Sequence, residues 1–387
     1  VEEETSRLVE IATRPGDPAE AYRKIKGRGR LKGRALGALR GVAAWRDVTA
    51  RDVNRPPARV VNDRTMLELA RQIPANLERL ARVRGIPGGL VVFVGGEPME
   101  DTAAWSESGA FLVHVLCEGK GQLRKTQVDI AAQNLAGRVT ASLFDGGALP
   151  FVDRVVNVLV VGDSIFEIRD SEIKRVLAPR GVMVASGRVK YTNPVPATID
   201  DWTHNLYDAG NSGVSGDEEA GALRHMQWTG SPAFSRSHDG NSSFLAMVSA
   251  GGRVFYMMDE GSLAFLSLPS KWNLVARDGF NGKVLWRRAL DKPLLVHIGG
   301  IKDSTASLGH RMVAQEDAVY ATLGYNAPIT ALDSRTGKEL WTNPATHNAQ
   351  ELILYDGVLY GVINLSKENV AKHPFHLTGA FRRTPAA

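Results

Sequence analysis

One phrase, written twice in the second half of this chain, constrains its fold more than any other feature. The first copy runs Leu274-Val275-Ala276-Arg277-Asp278-Gly279-Phe280-Asn281-Gly282-Lys283-Val284-Leu285-Trp286, and the second Ile329-Thr330-Ala331-Leu332-Asp333-Ser334-Arg335-Thr336-Gly337-Lys338-Glu339-Leu340-Trp341. Each follows a strand-forming run, Gly252-Arg253-Val254-Phe255-Tyr256 or Asp317-Ala318-Val319-Tyr320-Ala321, and a third copy begins at Ile353-Leu354-Tyr355-Asp356-Gly357-Val358-Leu359-Tyr360-Gly361. A period of about 55 residues built from strand formers and turn residues is the pattern of propeller blades. Asn281-Gly282 reads as a hairpin turn, Thr336-Gly337 as a turn whose glycine supplies positive φ, and the Trp after each as a packing lock between neighbouring blades. Two to three copies fall short of the roughly four to eight that close a ring, so the sheet is expected to end on an exposed edge. The tail from His373-Pro374-Phe375-His376 to Ala387 does not continue the repeat and Val1 is not a methionine, so the sequence is expected to be a piece of a longer one.

The character of the chain changes at Pro87-Gly88-Gly89. Before that point, residues 1–87 carry 19 Lys and Arg against 11 Asp and Glu; the rest carries 28 against 31. Such a charge split assigns different partners to the two parts. In the basic part, Leu31, Ala35, Leu36, Leu39, Val42 and Ala43 fall on one face of a helix, with Arg34, Arg40 and Arg46 off it. Pro56-Pro57 breaks the chain, Asn62-Asp63 can cap a helix over Thr65–Gln72, and Pro74-Ala75-Asn76 opens another at Leu77–Val83. The expected product is a small all-α module whose Arg28, Arg30, Lys32, Arg34, Arg40 and Arg46 can follow the phosphates of a nucleic acid by charge alone.

The blocks Ala21-Tyr22-Arg23-Lys24-Ile25-Lys26-Gly27, Ala43-Ala44-Trp45-Arg46-Asp47, Val60-Val61-Asn62-Asp63, Leu67-Glu68-Leu69-Ala70 and Leu80-Ala81-Arg82-Val83-Arg84-Gly85 occur in the order found in the C-terminal part of ribonuclease D. Residues 1–87 thus resemble its HRDC domain, a helical nucleic-acid-binding module. The resemblance implies that the exonuclease domain with its metal-binding acidic residues would precede Val1, and that the last helices of the module are missing after Gly85. No nuclease activity is expected of this chain, and a ribonuclease D relative implies a cytoplasmic location.

From Gly88 the periodicity is that of strands alternating with helices. Leu90–Val94 is a short apolar run ending in Gly95-Gly96; Phe111–Leu116 repeats it, with Glu118 just past its end; Val139–Phe144 ends at Asp145-Gly146-Gly147; Val155–Val161 is a fourth run. Helices are expected over Asp101–Ser108 and Ser171–Leu177, the latter capped by Ser171, with Pro179-Arg180-Gly181 turning into a strand at Val182–Ala185. The spacing implies an α/β doubly wound parallel sheet with its ligand crevice at the carboxyl ends of the strands, near Gly95, Glu118 and Asp145. Residues 88–190 resemble class I S-adenosylmethionine-dependent methyltransferases. That resemblance assigns S-adenosylmethionine to Gly95 and Gly96 at the first turn, to Glu118 at the ribose and to Asp145 at the adenine. This sequence departs from the family at Pro98, which removes a donor, at Met99, which stands where a glycine is expected, and at Glu118, displaced by one position.

The repeats at 251–387 resemble quinoprotein-like (PQQ-like) propeller blades, whose A-x-D-x-x-T-G-K-x-x-W phrase is complete at 331–341 and altered at 276–286. Residues 88–365 together look like a methyltransferase-like domain running into such a propeller, an arrangement typical of large planctomycete-type proteins, whose relatives would imply export. The junction at 191–250 carries Ile199-Asp200-Asp201-Trp202-Thr203-His204, Met226-Gln227-Trp228 and Ser235-Arg236-Ser237-His238. Asp200, Asp201, His204 and His238 are the one cluster with acid–base or metal-ligand chemistry, but their spacing matches no metal motif, and a structural role beneath the blades is the expected one. Pyrroloquinoline quinone is not expected without a closed central channel. The lone Cys117 excludes a disulfide framework, and no run approaches the roughly 18 apolar residues of a membrane span.

The expected whole is multidomain: a helical module, a methyltransferase-like sheet, then an incomplete all-β propeller that binds a ligand or protein partner. Methyl transfer is left open by the altered cofactor motifs. The competing readings are a nucleic-acid-binding chain related to ribonuclease D, and a fusion of two pieces with no integrated function.

Overall fold

The computed structural model describes residues 17–30, 33–52, 57, 61, 63, 66–67, 85–95, 102, 104–106, 109–162, 164–186, 188–219, 226–234, 244–264, 269–290, 309–324 and 326–364. The chain divides at Arg84/Gly85 into two compact units.

In the first unit, a 3-10 turn over Pro18–Lys24 packs on helix α1, Gly33–Asp52. Leu39, Ala43, Arg46 and Ala50 recur at helical spacing and are buried, so α1 presents one stripe to a core completed by Ala21, Tyr22, Ile25 and Met66. Of the helix expected over Thr65–Gln72, only Met66 and Leu67 are described, both helical; Leu77–Val83 lies outside the described residues.

The second unit opens with a six-stranded sheet: β1 Gly89–Val94, β2 Phe111–Cys117, β3 Val139–Leu143, β4 Val156–Val161, β5 Leu177–Ala185 and β6 Arg188–Thr192. Its order is β3-β2-β1-β4-β5-β6, with β1 to β5 parallel and β6 antiparallel. The order reverses between β1 and β4, and this reversal marks the ligand crevice of a doubly wound sheet. β1 and β4 are buried on both faces, as their unbroken apolar runs require. Helix α2, Lys120–Ala132, fills the β2–β3 crossover and was not anticipated from the sequence; Gly119 stands at its N-cap with no side-chain cap, and only Thr126 and Ile130 are buried. Helix α3, Asp170–Val176, is capped at Arg169 rather than Ser171 and makes no side-chain cap bond. Pro179-Arg180-Gly181 does not precede the fifth strand but bulges out within it, because β5 passes from Leu177 to Val182 while β4 advances only from Val156 to Val158. Arg180 has φ of 66° there, and a Cβ on Gly181 would lie 2.7 Å from the Ala178 carbonyl oxygen.

Two four-stranded antiparallel blades follow. The first joins β7 Phe244–Ala250, β8 Arg253–Asp259, β9 Trp272–Asp278 and β10 Val284–Ala289; the second joins β11 Met312–Ala314, β12 Ala318–Thr322, β13 Ile329–Asp333 and β14 Glu339–Asn343. A hairpin of β15 Ala349–Tyr355 and β16 Val358–Ile363 begins a third. The first blade includes β7, which lies within the segment read from sequence as junction. The blades share a core of Phe255, Leu274, Trp286, Val319 and Leu332, and each such fully buried side chain contributes roughly 1.5–3 kcal/mol.

Trp286 on β10 gives its indole N–H to the Ser334 carbonyl at 3.0 Å and lies over Gly337, where a Cβ would sit 2.7 Å from the ring. Trp228 stands to the first blade as Trp286 does to the second: its N–H reaches the Gly279 carbonyl at 3.0 Å and its ring covers Gly282. Trp286 therefore locks the two blades together and Trp228 braces the first, each over a glycine that cannot carry a side chain.

The sheet is fastened to the first blade by a buried polar cluster. Asn157 of β4 donates to Asp278 (2.8 Å) and accepts from Leu90 N–H (2.8 Å) and the Asn281 amide (2.7 Å), which also reaches the Val155 carbonyl (2.9 Å). Burial pushes the Asp278 carboxyl up, against the pull of these donors.

Candidate functional site

The strand order sets the carboxyl ends of β3, β2, β1 and β4 side by side, so Asp145, Glu118 and Gly95 share one edge of the sheet. Gly95 follows β1, buried, at φ of 72°; Gly96, Pro98 and Met99 lie outside the described residues. Glu118 is the first residue past β2. Its Oε1 accepts both the Ser164 hydroxyl (2.5 Å) and the Ile165 N–H (2.9 Å), while its own N–H donates to Gln122 (2.8 Å). Ser164 and Ile165 follow β4, and neighbouring strands lie about 5 Å apart with β1 between β2 and β4. The Glu118–Ser164 bond consequently crosses the end of β1, at the place where a doubly wound sheet holds its ligand.

The same loop continues over the end of β3. Phe166 meets Phe144 edge-on at 5.5 Å and presses on Gly146, where a Cβ would fall 2.3 Å from its ring. Asp145 is exposed and caps its own turn, accepting Gly147 N–H at 3.0 Å. At the position the resemblance gives to the ribose, Oε1 of Glu118 already takes two protein donors.

A cleft of about 620 Å3 lies instead at the opposite, amino end of the strands, between Leu149–Asp153, Arg175 and Met226–Gln227. The Arg175 guanidinium there is fully engaged by Glu172, Asp153 and the Leu149 and Phe151 carbonyls, and it holds the Glu172 carboxyl down to about 2. Among the described residues lining the cleft, no cation is left over to bind an anion.

The junction cluster is structural. Trp202 exchanges bonds with Ser249 of β7 (2.9 and 2.7 Å), the Thr203 carbonyl accepts Ala314 N–H of β11 (3.0 Å), and His204 Nε2 accepts Leu354 N–H of β15 (3.0 Å). Three successive residues thus hold the first strand of three successive blades. His204 must be neutral to accept that bond, and burial lowers its proton affinity accordingly. Asp201 accepts Gly251 N–H (3.0 Å); Asp200 accepts the Tyr207 hydroxyl (2.5 Å) and Gly216 N–H (2.7 Å), and the Tyr207 bond draws its carboxyl below the usual range. His238 lies outside the described residues. Among the described residues, no three acidic, His or Cys side chains are grouped to hold a metal.

In the basic unit, Arg28 is exposed and bonds the Arg23 carbonyl, and Arg40 is exposed, stacked at 4.8 Å over Tyr22. Arg46, expected to face phosphates, is turned inward instead: it is 7% exposed and bonds Asp63 (2.7 Å) and the Val61 carbonyl (3.0 Å). It closes the core, so phosphate contact is withdrawn for it. Arg30 and Arg34 lie in described backbone, their side chains outside the described residues, as is all of Lys32. The sequence reading missed the Trp228 seat, although Trp228, Trp286 and Trp341 stand about one blade repeat apart, and that spacing is the signal that finds it. It also missed Ser164, which no motif marks. No described helix is long and apolar enough to cross a membrane.

Comparison with known proteins yields two family matches: the HRDC domain over residues 35–94, and the outer membrane protein assembly factor BamB family over 184–372. The last six residues of the first match are strand β1. Ribonuclease D of Acidiphilium cryptum is 42% identical over 97 residues, 25% of this chain and 24% of that protein; ribonuclease D of Granulibacter bethesdensis is 34% identical over 121 residues, 31% and 27%. The chain spans about a quarter of the length of these relatives. Among solved structures, a putative S-adenosyl-L-methionine-dependent methyltransferase from Methanococcus maripaludis matches at 24% identity and a TM-score of 0.26, over 28% of this chain and 52% of that one. Geranyl diphosphate C-methyltransferase from Streptomyces coelicolor matches at 16% and 0.24, over 26% and 39%. Residues 35–94 carry an HRDC domain, matched over that region by ribonucleases D, and residues 184–372 carry a BamB-type, PQQ-like region.

Proposed function

We propose that this chain is a binding protein in which the blades engage a partner and the methyltransferase-like sheet supports them without turning over S-adenosylmethionine. The observation that carries this reading is the Glu118–Ser164–Ile165 clasp across the crevice, which engages the carboxylate a cofactor ribose would need. The junction supports it from the other side, since its acidic and imidazole groups hold blades together. Calorimetric titration of the chain with S-adenosylmethionine is expected to give no saturable heat up to about 1 mM, a binding energy of only about 4 kcal/mol. Saturation well below that concentration would restore the enzyme reading.

The HRDC match and the exposed Arg28 and Arg40 favour a second binding role, toward single-stranded nucleic acid. Binding of the chain to a fluorescent oligoribonucleotide should weaken steeply between about 50 and 200 mM salt, as counterion release requires. Arg40→Glu should weaken it further at low salt. An affinity indifferent to both would remove this role.

A further inference from the structure

Strands β2 and β3 pair in parallel with His114 opposite Thr140 and Leu116 opposite Ser142. Thr140 and Ser142 stand two positions apart, so both face the side of the sheet that His114 faces. The His114 ring joins them: Nδ1 lies 2.7 Å from Thr140 Oγ1, and Nε2 lies 2.8 Å from Ser142 Oγ. The Thr140 hydroxyl gives its own proton to the Val113 carbonyl (3.4 Å) and is left to accept from Nδ1–H. That fixes the tautomer, with the Nε2 lone pair turned to the Ser142 hydroxyl. Burial lowers the proton affinity of the ring, so it is neutral at pH 7 and free to take a proton. Ser142 is half-buried and Thr140 exposed, so the group is open to solvent along β3. Phe151 meets the His114 ring edge-on at 5.6 Å and is also a wall of the cleft of about 620 Å3. The neighbouring walls of that cleft, Leu149, Pro150, Val152 and Met226, are apolar, and its Arg175 and Asp153 are bonded to each other. Such a lining suits an uncharged, apolar group.

We propose that Ser142 is an acyl-accepting nucleophile with His114 as its general base and Thr140 as the residue that positions that base, and that its substrates are neutral esters of apolar carboxylic acids. A hydroxyl bonded to an imidazole that a third group orients is the arrangement that activates serine. Ser142 Oγ attacks the ester carbonyl carbon as its proton passes to His114 Nε2. The bond to the alcohol oxygen then breaks, and the alcohol leaves with that proton. Water attacks the acyl-serine by the same transfer, which releases the carboxylic acid and restores the hydroxyl. Thr140 is uncharged where a triad places a carboxylate, so it offers no opposite charge to the imidazolium formed in each step, and turnover is slow. With an activated ester the first step outruns the second, and the acyl-serine accumulates. No sequence motif marks the pair, because only the register of β2 against β3 joins them. The site uses neither the crevice at Glu118 nor the blades, so it stands or falls apart from the binding role.

The test is p-nitrophenyl butyrate mixed with the full chain. A stoichiometric burst of p-nitrophenolate is expected, then slow turnover, with a butyryl group found on Ser142 by peptide mass spectrometry. Ser142→Ala should abolish both burst and adduct. His114→Gln keeps an amide beside the two hydroxyls but cannot take the proton, and should slow the burst about hundredfold. Thr140→Val should slow it as well and Thr140→Ser restore it, a rescue that follows only if the hydroxyl orients the ring. Absence of a burst, acylation of other residues with Ser142 left free, or a burst of equal rate in His114→Gln overturns the proposal.

Discussion

The turn after β9 and the turn after β13 occupy the same place in two consecutive blades, and they differ wherever their neighbours differ. In both, the Asp carboxylate caps the turn: Asp278 Oδ1 accepts from Phe280 and Asn281 N–H, Asp333 Oδ1 from Arg335 and Thr336 N–H. In both, a Trp earlier in the chain, Trp228 or Trp286, covers the glycine at the same offset from the Asp. The second turn is exposed, and its Arg335 and Thr336 bond Asp317 and Asp333. The first turn faces the α/β sheet, so Asn281 stands in the place of Thr336 and reaches Val155 and Asn157. The altered phrase is thus the same turn fitted to a different neighbour. What is constant in it serves the blade, and what varies serves the contact.

The strongest way to break this comparison is through the tryptophans. Trp286→Ala removes a buried ring and its bond to Ser334 and should cost about 3–5 kcal/mol in urea unfolding. Trp341→Ala removes a ring with one open face and should cost less than about 1 kcal/mol. Equal losses would mean that Trp341 is as enclosed as Trp286.

Much of this arrangement was legible, and the reasons are local. The blades were visible because an antiparallel blade is written in consecutive strands, and its turn demands glycine at one fixed position. The parallel strands themselves were visible as short apolar runs, since strands buried on both faces leave no polar interruptions. The Gly88-Gly89 pair marks the change of character in the sequence, and the structure shows what each glycine packs against. A Cβ on Gly88 would fall 2.5 Å from the Ala110 carbonyl oxygen, and one on Gly89, at φ of 121°, would fall 1.9 Å from Asn157 Oδ1. These glycines make room for the clamp between sheet and blade. Helix α2 escaped notice because its cap is a glycine and its buried stripe only two residues wide. The inward turn of Arg46 and the Glu118 clasp escaped for another reason: each depends on a partner distant in sequence, Asp63 or Ser164, that no periodicity announces.

A finer test exchanges the residues that distinguish the two turns. Asn281→Thr keeps a side-chain oxygen near the Lys283 N–H, as Thr336 keeps one near Lys338, so the turn itself should persist. It removes the amide that reaches Val155 and Asn157, leaving a buried carbonyl unpaired, and should cost about 2–3 kcal/mol. The reverse change, Thr336→Asn, has no buried partner to gain and an exposed turn to occupy, and should stay within about 0.5 kcal/mol. Amide exchange locates the effect: Asn281→Thr should raise the rates of β4 and β9 together while leaving β13 unchanged. If both exchanges cost the same, the departure at Asn281 is neutral drift within the repeat rather than a fit to the sheet.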